Sequence, residues 1–533
     1  MHETLLLCLS LLLLVMVLVM LAQRLRVSYP IFLVLGGLLI SFIPGVPVIK
    51  VDHELIFLIF LPPLLYEAAW FTSWKAFWKW RRVISTNAFI LVLLTSCVVA
   101  FAAQAFLPGF TLALGFLLGG IVSPPDAVAA TSVTKGLKVP KRVVTILEGE
   151  SLVNDASSLI IFRFALAAVL SGTFIWEKAA ADFVLVTGVG IIIGVAIAHV
   201  FYVIHRWLPT TPSIDTALTV IAPYLMYLVA EEFHFSGVMA VVSGGLFLSY
   251  RNHEIFSYQT RMQSYSLWAT LGFVLNGTVF ILIGLELPVI VDELGEYSKW
   301  EAIGYGVLIT GILIVTRMAV AMGTSLFTRF MSRFIWVNDA NPGWKYPLVI
   351  GWAGMRGVVS LASALSIPPL LDNGQPFPQR NLILFITFVV ILLTLVVQGL
   401  TLPAIINFVN LKEQDMAPEE EQEAEIRVRL VKVAIEALES QYADDMASNE
   451  WVKNLRRRMV ADHSHAEGYL AAVTCIPEQK EAVSRYREIH ADLLKIQRRE
   501  LYKMRKRTEL DDEVIRKQEA QMDLDEASLS MLH

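Results

Sequence analysis

The sequence predicts an all-α polytopic membrane protein with about thirteen transmembrane helices, a six-helix inverted repeat, two broken crossing helices and a helical cytoplasmic tail. Three observations carry this. The 533 residues are 56% hydrophobic and only 17% charged, whereas soluble globular chains are about one quarter charged. Apolar runs long enough to cross a bilayer recur along the chain. The connecting segments alternate between basic and basic-poor, as the positive-inside rule requires of a multispanning protein.

The runs fall near 3–22, 29–46, 54–71, 84–107, 111–134, 141–170, 181–206, 215–232, 236–250, 265–288, 301–330, 345–369 and 381–409. The first carries its basic residues after the apolar stretch and shows no small-residue cleavage site, so it is expected to be a retained span. Placing the N-terminus outside puts Arg24, Arg26, Lys75, Lys79, Arg81, Arg82, Lys135, Lys138, Lys141, Arg142, Arg206, Arg251, Arg261, Arg329, Arg333 and Lys345 inside. Only Lys50, Lys178, Lys299 and Arg380 then lie outside. The bias is about fourfold, and it sends the C-terminus to the cytoplasm. The Trp-rich segment WFTSWKAFWKWRR reads as an interfacial belt.

Residues 1–410 are expected to form the transmembrane domain: a first repeat at 1–172, a linker helix at 181–206 and a second repeat at 215–410. Residues 412–533 are dense in charge and helical in period, and read as a cytoplasmic tail that could be regulatory or simply structural. The near-neutral formal charge of −5 gives no reason to expect nucleic acid as a partner. Cys8, Cys97 and Cys475 match no metal or redox spacing. No Walker, G-x-G-x-x-G or H-E-x-x-H pattern points to an enzyme or a cofactor.

Two spans are interrupted. GGIVSPPDAVAATS places Pro124-Pro125 in the fifth, and GWAGMRGVVSLASALSIPP sets three glycines around Arg356 in the twelfth. Each is the fifth span of its half. Broken helices are tolerated at membrane depth where their freed backbone groups line a cavity or find partners. Between them in sequence lies the most polar span, KRVVTILEGESLVNDASSLIIFRFALAAVL. Ser151 and Asp155 share one helical face, and Glu150 and Asn154 the face beside it. Intramembrane ionisable groups usually mark an ion or proton pathway.

A small hard cation prefers oxygen ligands. Asp155, Ser151, Glu67 from LIFLIFLPPLLYEAAWF and the backbone carbonyl at Pro125 make such a set. Asp126 is expected either to ligate or to compensate a helix dipole. Glu67 is expected either to ligate or to snorkel to the interface. A carboxylate in low dielectric resists standing bare and charged, so Asp155 is expected to hold a proton or a cation in turn. Arg356 keeps its charge and needs a standing partner, and Glu150 is the expected one. Arg163 and Arg317 are expected to be paired structurally, Arg163 with no partner evident. Glu148 is expected to face cytoplasmic water. Glu231, Glu232 and Glu286, at outer helix ends, are expected to be solvated, and His234 to lie at the surface.

At these motifs the chain resembles the bacterial sodium/proton antiporters of the monovalent cation:proton antiporter-1 family. The matching stretches are LPPLLYEAAWF, SPPDAVAATS, LEGESLVNDAS, SGVMAVVSGGL, NGTVFILIGLEL and GMRGVVSLASAL, within residues 1–410. The resemblance implies a homodimer with a mobile core that moves in an elevator-like manner. It implies an Asn-Asp pair at Asn154-Asp155, associated with electroneutral exchange, an acid–arginine pair at Glu150 and Arg356, and ion ligands at Asp155, Ser151, Glu67 and Pro125. Where the family commonly has Thr-Asp-Pro, this chain has Pro125-Asp126-Ala127. The expected activity is Na+/H+ exchange, with Li+ or K+ as alternative cations and with both ions as substrates rather than cofactors. The alternative is a proton-uncoupled gated cation channel. An internal ion pair beside broken helices favours the transporter over a pore lined by a ring of like charges.

Overall fold

A computed structural model describes the chain except for residues 1, 44–52, 135–136, 138, 173–175, 293, 295–296, 335–342, 372–373, 412–418, 475–476, 505–511 and 531–533. Lys50, Lys135, Lys138 and Cys475, used in the sequence reading, lie outside the described residues. Two compact units emerge, Met1–Lys412 and Glu413–His533.

Among the described residues the first unit is built of helices, with one isolated antiparallel bridge between Leu370 and Pro376. In order its helices are α1 (His2–Leu25), α2 (Tyr29–Ser41), α3 (His53–Phe71), α4 (Trp74–Ser85), α5 (Val92–Phe106), α6 (Leu112–Val122), α7 (Ala127–Thr134), α8 (Lys141–Ser171) and α9 (Trp176–Trp207). They continue as α10 (Pro212–Glu232), α11 (Gly237–Ile255), α12 (Tyr258–Leu285), α13 (Leu287–Asp292), α14 (Lys299–Met331), α15 (Lys345–Trp352), α16 (Val358–Leu365), α17 (Arg380–Leu393) and α18 (Gly399–Val409). Among the described residues nine helices are long and apolar enough to cross a membrane, with shorter apolar helices at Tyr29–Ser41 and Leu58–Phe71. The remaining apolar runs are α11 and the interrupted pair α15–α16.

The Trp-rich segment is α4, whose N-terminus is capped by Ser73. It runs into α5 through a π-helical stretch, Thr86–Leu91. Such insertions of one wide turn are frequent at functional sites, and this one turns Asn87 inward. A second, Thr394–Gln398, joins α17 to α18. Gly115 and Gly119 of α6 press directly on Ala100 and Ser96 of α5, where a Cβ would overlap backbone. Small residues four apart permit this close approach, since lipid supplies no hydrophobic drive between helices.

Glu286 departs from its expected solvation. It is 7% exposed, because the chain does not end in solvent there. Its N–H closes α12 on Leu282, and its carbonyl starts α13 by accepting from Ile290. His234 is exposed, in a left-handed turn after α10.

The second unit comprises α19 (Glu419–Gln441), α20 (Ala443–Ser448), α21 (Glu450–Thr474), α22 (Pro477–Met504) and α23 (Asp512–Ser530). Arg456 joins α21 to Glu439 of α19 at 2.6 Å, and Arg498 of α22 joins Asp523 and Glu526 of α23, each at 2.6 Å. These pairs are solvent-exposed, and such pairs contribute little stability.

Candidate functional site

The break between α6 and α7 follows from its prolines. Pro124 and Pro125 have no N–H, so they cannot bond to the carbonyls one turn back. The next two donors are diverted as well: Asp126 N–H goes to Met355 O at 2.7 Å, and Ala127 N–H to Ser151 Oγ at 3.1 Å. The carbonyls of Val122 and Ser123 are thereby left without helical partners. Arg356, at the break between α15 and α16, fills the gap. Its Nε donates to Val122 O at 2.9 Å, its Nη2 to Ser123 O at 3.4 Å, and its Nη1 to Gly354 O. Its own N–H donates to Thr394 Oγ1 at 3.1 Å in the second π-helical stretch.

The two broken helices therefore meet at their breaks. A guanidinium sits at the C-terminal end of α6, where the helix dipole is negative. The Asp126 carboxylate caps the N-terminal end of α7, with Oδ1 accepting from Val128 N–H at 2.8 Å. Each charge compensates the dipole it faces. Gly357 lies against Asp126, and a Cβ there would overlap the carboxylate. Gly357→Ala should therefore push Asp126 off its cap and lower thermal stability by about 1–3 kcal/mol. Gly311→Ala, in α14 with open space around it, serves as the matched control. Melting curves in detergent check this, and equal melting of both variants would contradict the crowded crossing.

Arg356 does not pair with Glu150 as expected. Glu150 Oε1 accepts from Arg317 Nη1 of α14 at 2.6 Å, and Glu150 Oε2 from Asn87 Nδ2 at 3.1 Å. Arg317 Nη2 also reaches Ile350 O at 3.3 Å, at the end of α15. Glu150 is fully buried and Arg317 is 1% exposed. The physical reason is the break itself. The freed carbonyls of α6 give Arg356 neutral acceptors within reach of its fork, so Glu150 goes to the other buried guanidinium. Sequence reading expected pairing for Arg317 but did not link it to Glu150. Asn87 was missed altogether, although a lone amide in an apolar span is a recognisable signal.

Asn154, fully buried, donates from Nδ2 to Pro125 O at 3.1 Å. The carbonyl proposed as an ion ligand is thus already bonded through one lone pair, and Ser151 Oγ is likewise engaged by Ala127 N–H. Both hold α8 to the break and retain acceptor capacity.

The outer face of the same polar helix opens onto a cavity of about 390 Å³. Asp155, Ser151, Asp126, Glu67, Glu148 and the Pro125 region line it, with Tyr29, Phe273 and Asn276 on the opposite wall. Asn276 Nδ2 donates to Gly272 O at 2.9 Å. Glu67 lies over Gly272, where a Cβ would overlap its carboxyl. The cavity extends to Phe71 and Tyr265, next to the basic segments 75–82 and 251–261. Among the described residues, no three His, Cys, Asp or Glu groups converge as a metal cluster.

Arg163 finds its partner in Glu231, 2.6 Å away and partly exposed. Glu231 Oε1 also accepts from Gly237 N–H at the start of α11, so this acid bridges three helices rather than standing solvated.

The family described as "Sodium/hydrogen exchanger, transmembrane" matches residues 10–408. An uncharacterised Na+/H+ exchanger of Mycobacterium tuberculosis is 31% identical over 516 residues, covering 96% of this chain and 93% of its own length. The sodium, potassium, lithium and rubidium/H+ antiporter of Bacillus subtilis is 34% identical over 400 residues, 71% of this chain and 57% of that one. In fold, the chain is similar to the sodium proton antiporter of Methanocaldococcus jannaschii solved at pH 8. The TM-score is 0.58 at 20% identity, with 73% of this chain and 97% of that one covered.

Proposed function

Because this chain belongs to the sodium/hydrogen exchanger family, we propose that it exchanges Na+ for H+ one for one, with Asp155 as the shared binding group. It is an inner-membrane cation/proton antiporter, a secondary transporter rather than an enzyme. The observation that carries the finer reading is the cavity in which Asp155 and Ser151 stand beside the crossing of two broken helices.

A cation entering from the basic-loop side meets Asp155, with Ser151, Glu67 and the Pro125 carbonyl as further oxygen donors. A proton on Asp155 must leave for the cation to bind, and the two loaded states carry the same charge. The empty carboxylate would carry an uncompensated charge through a low-dielectric barrier, which is costly. Only a loaded site switches sides, so exchange follows. Asn154 carries no charge of its own, which supports one ion per proton. Glu150 with Arg317, and Arg356 with the α6 carbonyls, hold the crossing as a rigid piece.

On this reading the crossing and α8, with α14 and the Thr86–Leu91 stretch that Arg317 and Asn87 tie to them, move together, elevator-like, against the remaining helices of the inverted repeats 1–172 and 215–410, with 181–206 as linker and the chain acting as a homodimer. The N-terminus is outside, and the 412–533 tail is cytoplasmic. Na+ is the assigned cation. The breadth of the Bacillus subtilis relative's name makes Li+ and K+ the competitors to assay.

In proteoliposomes an outward Na+ gradient should drive proton uptake. The initial rate at fixed ion gradients should not respond to an imposed membrane potential. A potential-dependent rate would overturn the one-for-one ratio. A steady Na+ current indifferent to pH would overturn exchange itself in favour of a channel.

A further inference from the structure

A second, larger groove of about 820 Å³ lies between α4–α5, the start of α8, α14 and α15. It plays no part in the exchange reading. Its walls sort by depth. At the basic-loop end stand Lys79, Arg81, Arg82 and Arg142, with Phe327 from the last turns of α14, and further along α5 the lining turns apolar with Ile90 and Leu94. Among the described residues no Asp or Glu lines it.

The basic end is built rather than frayed. Arg142 is 9% exposed, and its guanidinium is held between Trp80 at 4.2 Å and Tyr346 at 4.6 Å. Arg81 lies over Trp78 at 4.5 Å. Arg81 Nη1 also donates to Trp78 O at 2.7 Å, and stacking fixes the plane and place of each guanidinium charge, the planar cation that suits a phosphate. The N-terminal turns of α8 and α15 come to the same place, and helix N-termini favour anions. Ile90, Leu94 and Phe327 are exposed in the protein alone, at 53%, 44% and 62%.

We propose that this groove seats one anionic phospholipid of the leaflet on the basic-loop side, its phosphate among Arg81, Arg82 and Arg142 and an acyl chain along Ile90, Leu94 and Phe327. Charge complementarity selects the head group, and the apolar run at membrane depth selects a lipid over a soluble anion. The seat is also placed to matter. Asn87 and Ile350 line it, and these two groups hold Glu150 and Arg317 from outside. Lipid occupancy therefore braces the buried ion pair.

The test uses the full-length protein in vesicles of phosphatidylcholine with and without phosphatidylglycerol, reading lipid retained after purification by mass spectrometry. Phosphatidylglycerol should be retained over phosphatidylcholine, and Arg81→Gln/Arg82→Gln should lower that preference roughly tenfold. Gly323→Leu provides an independent arm. Gly323 lines the groove and faces open space, so the leucine should fill the acyl path and reduce retention without unfolding α14. Equal retention of the two lipids, or retention unchanged in both variants, would overturn the proposal. Release of phosphatidylglycerol by millimolar inorganic phosphate would instead make this a soluble-phosphate site.

Discussion

Asp155→Asn should abolish sodium-driven proton movement in proteoliposomes while leaving the protein folded and inserted. The amide keeps the size of the carboxylate and its place on the cavity wall, so the packing of α8 survives. It cannot take up a proton at working pH, and it offers a cation a dipole in place of a charge. Contacts to charged groups contribute about 1.5–3 kcal/mol each, so cation affinity alone should fall by roughly 10- to 100-fold. Coupling should fall further, because no proton is then released when the cation binds. Asp126 shares the cavity, but its Oδ1 is committed to Val128 N–H. Asp126→Asn should therefore weaken the crossing and slow exchange without erasing it. Gradient-driven pH changes inside vesicles, measured for both variants, test the division. Exchange surviving in Asp155→Asn would sink the carboxylate mechanism, and equal loss in both would make the two acids one site.

The second large effect should appear in stability. Breaking a buried ion pair by removing one member costs about 3–5 kcal/mol, because the other charge is left stranded. Arg317→Ala and Glu150→Gln should each lower the melting temperature in detergent sharply. Combining Arg317→Met with Glu150→Gln should recover much of the loss, since two neutral groups strand nothing. Arg356→Ala should also destabilise, by a different route: it leaves the Val122 and Ser123 carbonyls without donors, at about 1–3 kcal/mol each. Glu150→Gln should not rescue Arg356→Ala. Strong coupling of Glu150 to Arg356, with weak coupling to Arg317, would restore the pairing expected from sequence and refute the geometry.

The limits of the sequence reading show in these same residues. Asp155, Ser151, Asn154 and Glu150 were legible because polar groups at helical spacing inside an apolar run have few structural excuses. Pro124-Pro125 and the glycines around Arg356 announced two breaks. The pairing was not legible. Arg317 lies 167 positions from Glu150, and Arg163 lies 68 from Glu231. Nothing in local pattern selects one distant acid over another. The burial of Glu286 was missed for a related reason, since a helix end in sequence does not reveal the short helix that continues beyond it.

By itself, the sequence determined an all-helical membrane protein, its interrupted spans and the polar helix between them. Those follow from hydropathy and from the backbone's need for hydrogen bonds in lipid, which act over a turn or two of chain. Only the tertiary structure decided which charge answers which. Proline frees carbonyls at the end of α6, Arg356 takes them because they lie within reach of its fork, and Glu150 is thereby left to Arg317 and Asn87. That choice depends on where two helix breaks cross in space, which no stretch of sequence contains.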